Sequence, residues 1–131
     1  MRREILKLER GTSPVTDITE AIQKFAAGQP DGLMNVFAPH STVGLGLAQL
    51  DDGSSEDIVE AVSRLIPREL AYRHIEKAPG HGADHILPLL TSPSLVLPIG
   101  DGRALLGAYQ HVVFLDFDEM PSERTIVLTS L

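Results

Sequence analysis

Leu95-Val96-Leu97-Pro98-Ile99-Gly100-Asp101-Gly102 is the stretch on which the fold class turns. The first five residues form a short apolar run of the kind that fills a buried strand. Gly100-Asp101-Gly102 is hairpin-turn chemistry, because consecutive residues there tolerate positive φ. Residues 104–117 then read as one long strand, apolar on both faces. Such a strand lies centrally in a sheet, or has one face covered by a partner subunit. Thr125-Ile126-Val127-Leu128-Thr129 is a final β-branched strand. The last third of the chain is therefore mostly β.

Working back toward the start, residues 33–38 and 43–48 read as two more strands, separated at Pro39. Gly44 and Gly46 imply a bulge or a close approach by another chain or ligand. Near the beginning, Leu6, Leu8 and Arg10 alternate with Ile5, Lys7 and Glu9, which predicts another strand. Two amphipathic helices are predicted. The first follows a capping box of Asp17 and Glu20, carries Ile18, Ala21, Ile22 and Phe25 on one face, and closes on Gly28 at C′. The second follows Asp51-Asp52-Gly53-Ser54, carries Ile58, Ala61, Val62 and Leu65, and stops near Ile66 before Pro67. Pro79-Gly80 and Gly82 read as a loop. A short helix over residues 83–90 is opposed by Pro88. Strands outnumber helices and no βαβ repeat is visible, so the pattern is α+β. No repeat or linker divides the chain, and 131 residues fit one domain.

Composition excludes several function classes. The chain has no cysteine, so disulfides, thiolate metal sites and a thiol nucleophile are ruled out. Any metal must be held by His, Asp, Glu or water. The formal net charge of −7 opposes binding to nucleic acid or an anionic membrane. A few local cations can still reverse the potential inside one pocket that takes a phosphorylated small molecule. No apolar run is long enough for a bilayer span and the first residues lack a signal-peptide pattern, so the expected compartment is the cytoplasm.

The chemistry-bearing residues are the five histidines, His40, His74, His81, His85 and His111. His40 sits at a strand junction in Pro39-His40-Ser41-Thr42, where it can point into a cleft or bond a backbone carbonyl. Ser41 and Thr42 could hold an oxyanion. His81 and His85 are four apart, which can place both rings on one helix face, although Gly82 weakens that helix. Three imidazoles and an open position suit a catalytic metal. Asp51, Asp52, Glu56 and Asp57 surround a helix start, where capping explains them. Asp116, Asp118 and Glu119 read as a solvated strand end. Arg103 opens the long strand, and Gln110 lies within it on the face of Ala104, Leu106, Ala108 and Val112, where a ligand contact or a buried structural hydrogen bond are both open. Arg124 starts the last strand, where solvation or a phosphate clamp are both open.

His40-Ser41-Thr42, Tyr72-Arg73-His74 and Asp84-His85-Ile86 together resemble the histidine motifs of the YjbQ family. Residues 94–99, Gly102-Arg103 and Gly107-Ala108-Tyr109-Gln110 are similar to its C-terminal signature. Gln49 stands where that family often has glutamate, and Tyr109 where it usually has Trp. The resemblance implies a compact α+β domain with a mixed, mostly antiparallel sheet and two to three helices, assembled as a homotrimer. It also implies a secondary thiamine-phosphate synthase-like transferase, joining a pyrimidine diphosphate to a thiazole phosphate. Carried over, His40, His74 and His85 are the expected catalytic and metal-ligating residues, with zinc or magnesium as the cofactor. Ser41, Thr42, Arg103 and Gln110 are the expected substrate contacts. His81 and His111 fall outside the family's histidine positions. The alternative is a non-catalytic oligomer that binds a metal or small anion in the same cleft.

Overall fold

In a computed structural model of the chain, residues 1–74, 80–120 and 123–131 are described. Among the described residues eight strands build two sheets, and every recorded strand pair is antiparallel. The strands are β1 (Arg3–Leu8), β2 (Val15–Asp17), β3 (Gly32–Phe37), β4 (Val43–Ala48), β5 (Ser94–Gly100), β6 (Arg103–Ala104), β7 (His111–Asp116) and β8 (Arg124–Ser130). The larger sheet runs β1-β8-β3-β5-β6 and the smaller β2-β7-β4. The helices are α1 (Thr19–Ala26), α2 (Ser54–Leu65), α3 (His81–Asp84) and α4 (Leu87–Thr91).

Side-chain alternation dictates how these layers stack. On β7, Val112 and Phe114 join Met34, Val36, Leu97, Ile126 and Leu128 of the larger sheet, with Ile22 and Phe25 of α1, in one core. Val113 and Leu115, on the opposite face of β7, join Val15, Ile66, Ala83 and Leu87 in a second core under α2, α3 and α4. The small sheet is therefore the middle layer, between the larger sheet and the helices. β7 is its central strand, and this accounts for apolar residues on both of its faces.

The hairpin forms as expected. β5 and β6 pair through Ile99↔Ala104 and Gly100↔Arg103, with Asp101 and Gly102 both at positive φ between them. The long strand over residues 104–117 does not form. After Ala104 the chain turns at Gly107, whose N–H donates to Gln110 Oε1 at 2.8 Å, and pairing resumes at His111. A side chain that satisfies a backbone donor in this way competes with the ladder.

Other expectations shift by a residue or more. Asp17 ends β2 and is not the N-cap of α1, which is Ile18; it accepts from Thr19 N at 2.9 Å and Thr19 Oγ1 at 2.6 Å. Gly28 is not in the left-handed region. α2 packs the half-buried Ile58, Val59 and Val62 against the second core, with the buried Ile66 just beyond it, while Ala61 and Leu65 face outward. The short helix is split into α3 and α4, with Pro88 in the first turn of α4. The expected loop at Pro79 lies outside the described residues. The close approach at Gly44 is made by α4, since a Cβ there would fall on Thr91 Oγ1.

Candidate functional site

Three histidines meet where α3 crosses the segment after α2. A Cβ on Gly82 would lie 2.6 Å from Tyr72 Cβ and 3.2 Å from the His74 carbonyl oxygen. The hydrogen atom at that position lets the 72–74 segment lie against α3, which brings His74 beside the helix. His81 begins α3 and His85 follows its end in helical conformation, so the i,i+4 relation holds. The His81 and His85 ring centroids are 4.6 Å apart, those of His74 and His85 4.8 Å, and those of His74 and His81 6.1 Å. His81 Nε2 and His85 Nε2 face each other at 3.1 Å. One ligand atom from each ring lies within 4.8 Å of the other two, and His74 leaves the group exposed to solvent on one side.

A buried ionic ladder backs this cluster. His81 Nδ1 is 3.7 Å from Asp84 Oδ2 and 3.8 Å from Asp118 Oδ1. Asp84 Oδ1 pairs with Arg68 Nη1. Asp118 Oδ2 accepts from Arg124 Nη2 at 3.2 Å, and Asp116 Oδ2 from Arg124 Nε at 2.8 Å. Burial raises the Asp84 carboxyl above the ordinary carboxylate range, although Arg68 opposes that rise. Burial also works against the Arg124 charge, but Asp116 and Asp118 outweigh it and hold the guanidinium pKa up. Asp116, Asp118 and Arg124 are all buried, so the reading of a solvated strand end is corrected. The ladder ends at Arg10, 3.9 Å from Asp116. There an open cavity of about 760 Å³ is lined by Lys7, Arg10, Asp116, Glu123 and Arg124, and by none of the histidines.

The expected site residues separate into two groups. His74 and His85 come together, and His81 joins them. His40 is not in the ligand-distance group. Its Nε2 lies 3.0 Å from Thr125 N and 3.1 Å from Thr125 O, so the Thr125 backbone holds the ring to the start of β8 in either tautomer. Burial lowers the His40 pKa, in keeping with a neutral imidazole. Thr42 is buried and accepts from Arg124 Nη2 at 3.3 Å. Ser41, Arg103 and Gln110 are exposed, and Gln110 is spent on the Gly107 turn. His111 pairs with Asp17 at 2.9 Å, away from the cluster's ligand set. Asp51 accepts from Ser54 Oγ and from Gln49 Nε2 at 2.7 Å, but no side chain caps α2, whose N-cap is Gly53, so the capping expectation is not met. His81 is the residue that the motif comparison passes over, and its spacing to His85 was the signal that could have found it.

A sheet-on-sheet α+β domain with a trihistidine cluster on its helical layer defines the class of protein. The chain belongs to the UPF0047 family of YjbQ-like proteins, whose model matches residues 4–131. It is 37% identical to a UPF0047 protein of Mycobacterium tuberculosis over 129 residues, 98% of this chain and 97% of the relative. A UPF0047 protein of Archaeoglobus fulgidus is 32% identical, with 86% of this chain and 88% of the relative covered. Among solved structures, a hypothetical protein of Aeropyrum pernix K1 superposes with TM-score 0.89 at 26% identity, covering 100% of this chain and 98% of the other. A conserved hypothetical protein of Thermus thermophilus gives 0.86 at 29% identity, covering 98% and 99%. Among the described residues, no helix is long and apolar enough to cross a membrane.

Proposed function

We propose that this chain is an enzyme acting on a phosphorylated small molecule, with His74, His81 and His85 holding a divalent cation at the reacting centre. The observation that supports it is the convergence of three imidazoles whose ligand atoms lie within 4.8 Å of one another, open on the His74 side. The donor chemistry fits a cation of the zinc type better than magnesium, which prefers oxygen ligands. In this reading His81 takes the ligand place expected of His40. His40 instead fixes the first residues of β8 through Thr125. When bound, the cation would supply positive charge for a departing oxyanion. Thiamine-phosphate synthesis from a pyrimidine diphosphate and a thiazole phosphate is the specific reaction proposed, because pyrophosphate leaves in it and the charge develops on its oxygens.

The test is pyrophosphate release from those two substrates with Zn²⁺ or Mg²⁺ added. Turnover that depends on the metal and is lost in His85→Ala supports the reading. The rival reading, a non-catalytic binder of a metal or small anion, draws on Gln49, which stands where the family often has glutamate, and on Gln110, whose side-chain oxygen is engaged in the Gly107 turn. Ion binding without turnover would favour it.

We also propose assembly as a homotrimer. Ile5, Phe37, Val96 and Leu105 expose apolar side chains on the larger sheet and the turn beside it. Contiguous patches of this sort are covered by partners more often than left in water. Gly44 no longer contributes to that case, since α4 fills the space over it. A native mass of three chains supports the trimer, and a monomer mass opposes it.

A further inference from the structure

We infer that Asp84 and Asp118 are positioning residues for the histidine cluster, holding the proton of His81 on Nδ1 so that the Nε2 lone pair faces His74 and His85. The inference rests on the reading of that cluster as a cation site and deepens it. Asp84 is 1% exposed, and neither its Oδ2 nor His81 Nδ1 has a hydrogen-bond partner among the described residues. Such orphaned groups are rare inside proteins. These two face each other at 3.7 Å, and Asp118 Oδ1 faces the same nitrogen at 3.8 Å.

Each carboxylate divides its two oxygens between two tasks. Asp84 gives Oδ1 to Arg68 and turns Oδ2 toward His81. Asp118 gives Oδ2 to Arg124 and turns Oδ1 toward His81, while also accepting there from Met120 N at 2.9 Å. The arginines fix both carboxylates from behind. An ionised carboxylate only accepts, so it selects the imidazole tautomer with hydrogen on the nitrogen that faces it. That leaves Nε2 as the lone-pair atom, and Nε2 is the atom directed at His85. A movement of about 1 Å converts either separation into a hydrogen bond. A carboxylate behind a ligating imidazole orients the ring and strengthens it as a donor.

The test compares the full chain with Asp84→Asn and Asp118→Asn. Zn²⁺ affinity is measured by competition with a chromophoric chelator, and the ligand field by the visible absorption of the Co²⁺-loaded protein. Metal-free thermal melting shows that each variant folds. An asparagine has one oxygen, so it cannot serve both an arginine and His81. Each substitution is expected to weaken Zn²⁺ about 10- to 100-fold, to keep one ion per chain and to shift the Co²⁺ bands. Wild-type binding of one ion with affinity and bands unchanged in both variants would overturn the inference and leave the cation site standing. Two ions per chain, one of them lost in Asp84→Asn, would also overturn it, since the carboxylates would then be ligands. Absence of any ion from the wild-type chain would remove the cation site and this inference together.

Discussion

At the scale of single residues, two side chains carry more than their letters suggest. His40 is neutral in the fold because burial lowers its pKa below the ordinary 6.5. The unfolded chain protonates first as pH falls, so stability is fully present above about 6.5 and declines below it toward the lower folded value. His40→Gln can still accept from Thr125 N–H and does not titrate. Its melting temperature should therefore fall less than that of the wild type between pH 7.5 and pH 5.5, and an equal fall would count against this account. Arg124 stands at the start of β8 in the larger sheet, and Asp116 at the end of β7 in the smaller one. Their ion pair stitches the two sheets together. Arg124→Met leaves the buried Asp118 without its arginine and Asp116 with Arg10 alone, and is expected to cost about 3 to 5 kcal/mol in denaturant unfolding. A loss below 1 kcal/mol would contradict the ladder. A backbone carbonyl partner for His40 was one of the two readings that its strand-junction position left open. The role of Arg124 was not legible, because burial of a strand-end charge depends on which sheet lies behind it.

At the scale of elements, the close crossings decide the packing. Gly44→Ala would put a methyl onto Thr91 and lift α4 from β4, with an expected loss of about 1 to 3 kcal/mol. Combining it with Thr91→Ala removes the hydroxyl and should recover part of that loss, read as non-additivity in unfolding. Gly82→Ala should push the 72–74 segment off α3 and weaken zinc binding. Binding as tight as wild type would show that His74 is not placed by that crossing. Strand and helix types were readable from alternation and spacing, as at β1, β5 and the 101–102 turn. The stripe expected for α2 was half right: Ile58 and Val62 pack inward, but the packed face is rotated toward Val59 and Ile66, which leaves Ala61 and Leu65 in solvent. The break at Gly107 was hidden by apolar residues that continue through it.

At the scale of the whole molecule, the α+β class was visible in the sequence, but the division into two stacked sheets was not. The two-sided apolar pattern of β7 demands a cover on each face without naming it, and the covers come from β3, β5 and β8 on one side and from α2 to α4 on the other. The site was half legible for the same reason. His74 and His85 were identified by motif, whereas the third member depended on whether α3 could start at His81 despite Gly82. The most direct test is the zinc content and affinity of purified wild type, His81→Ala and His40→Ala. One ion per chain, lost in His81→Ala and retained in His40→Ala, is the predicted result. No ion in the wild type, or equal loss in both variants, would contradict it.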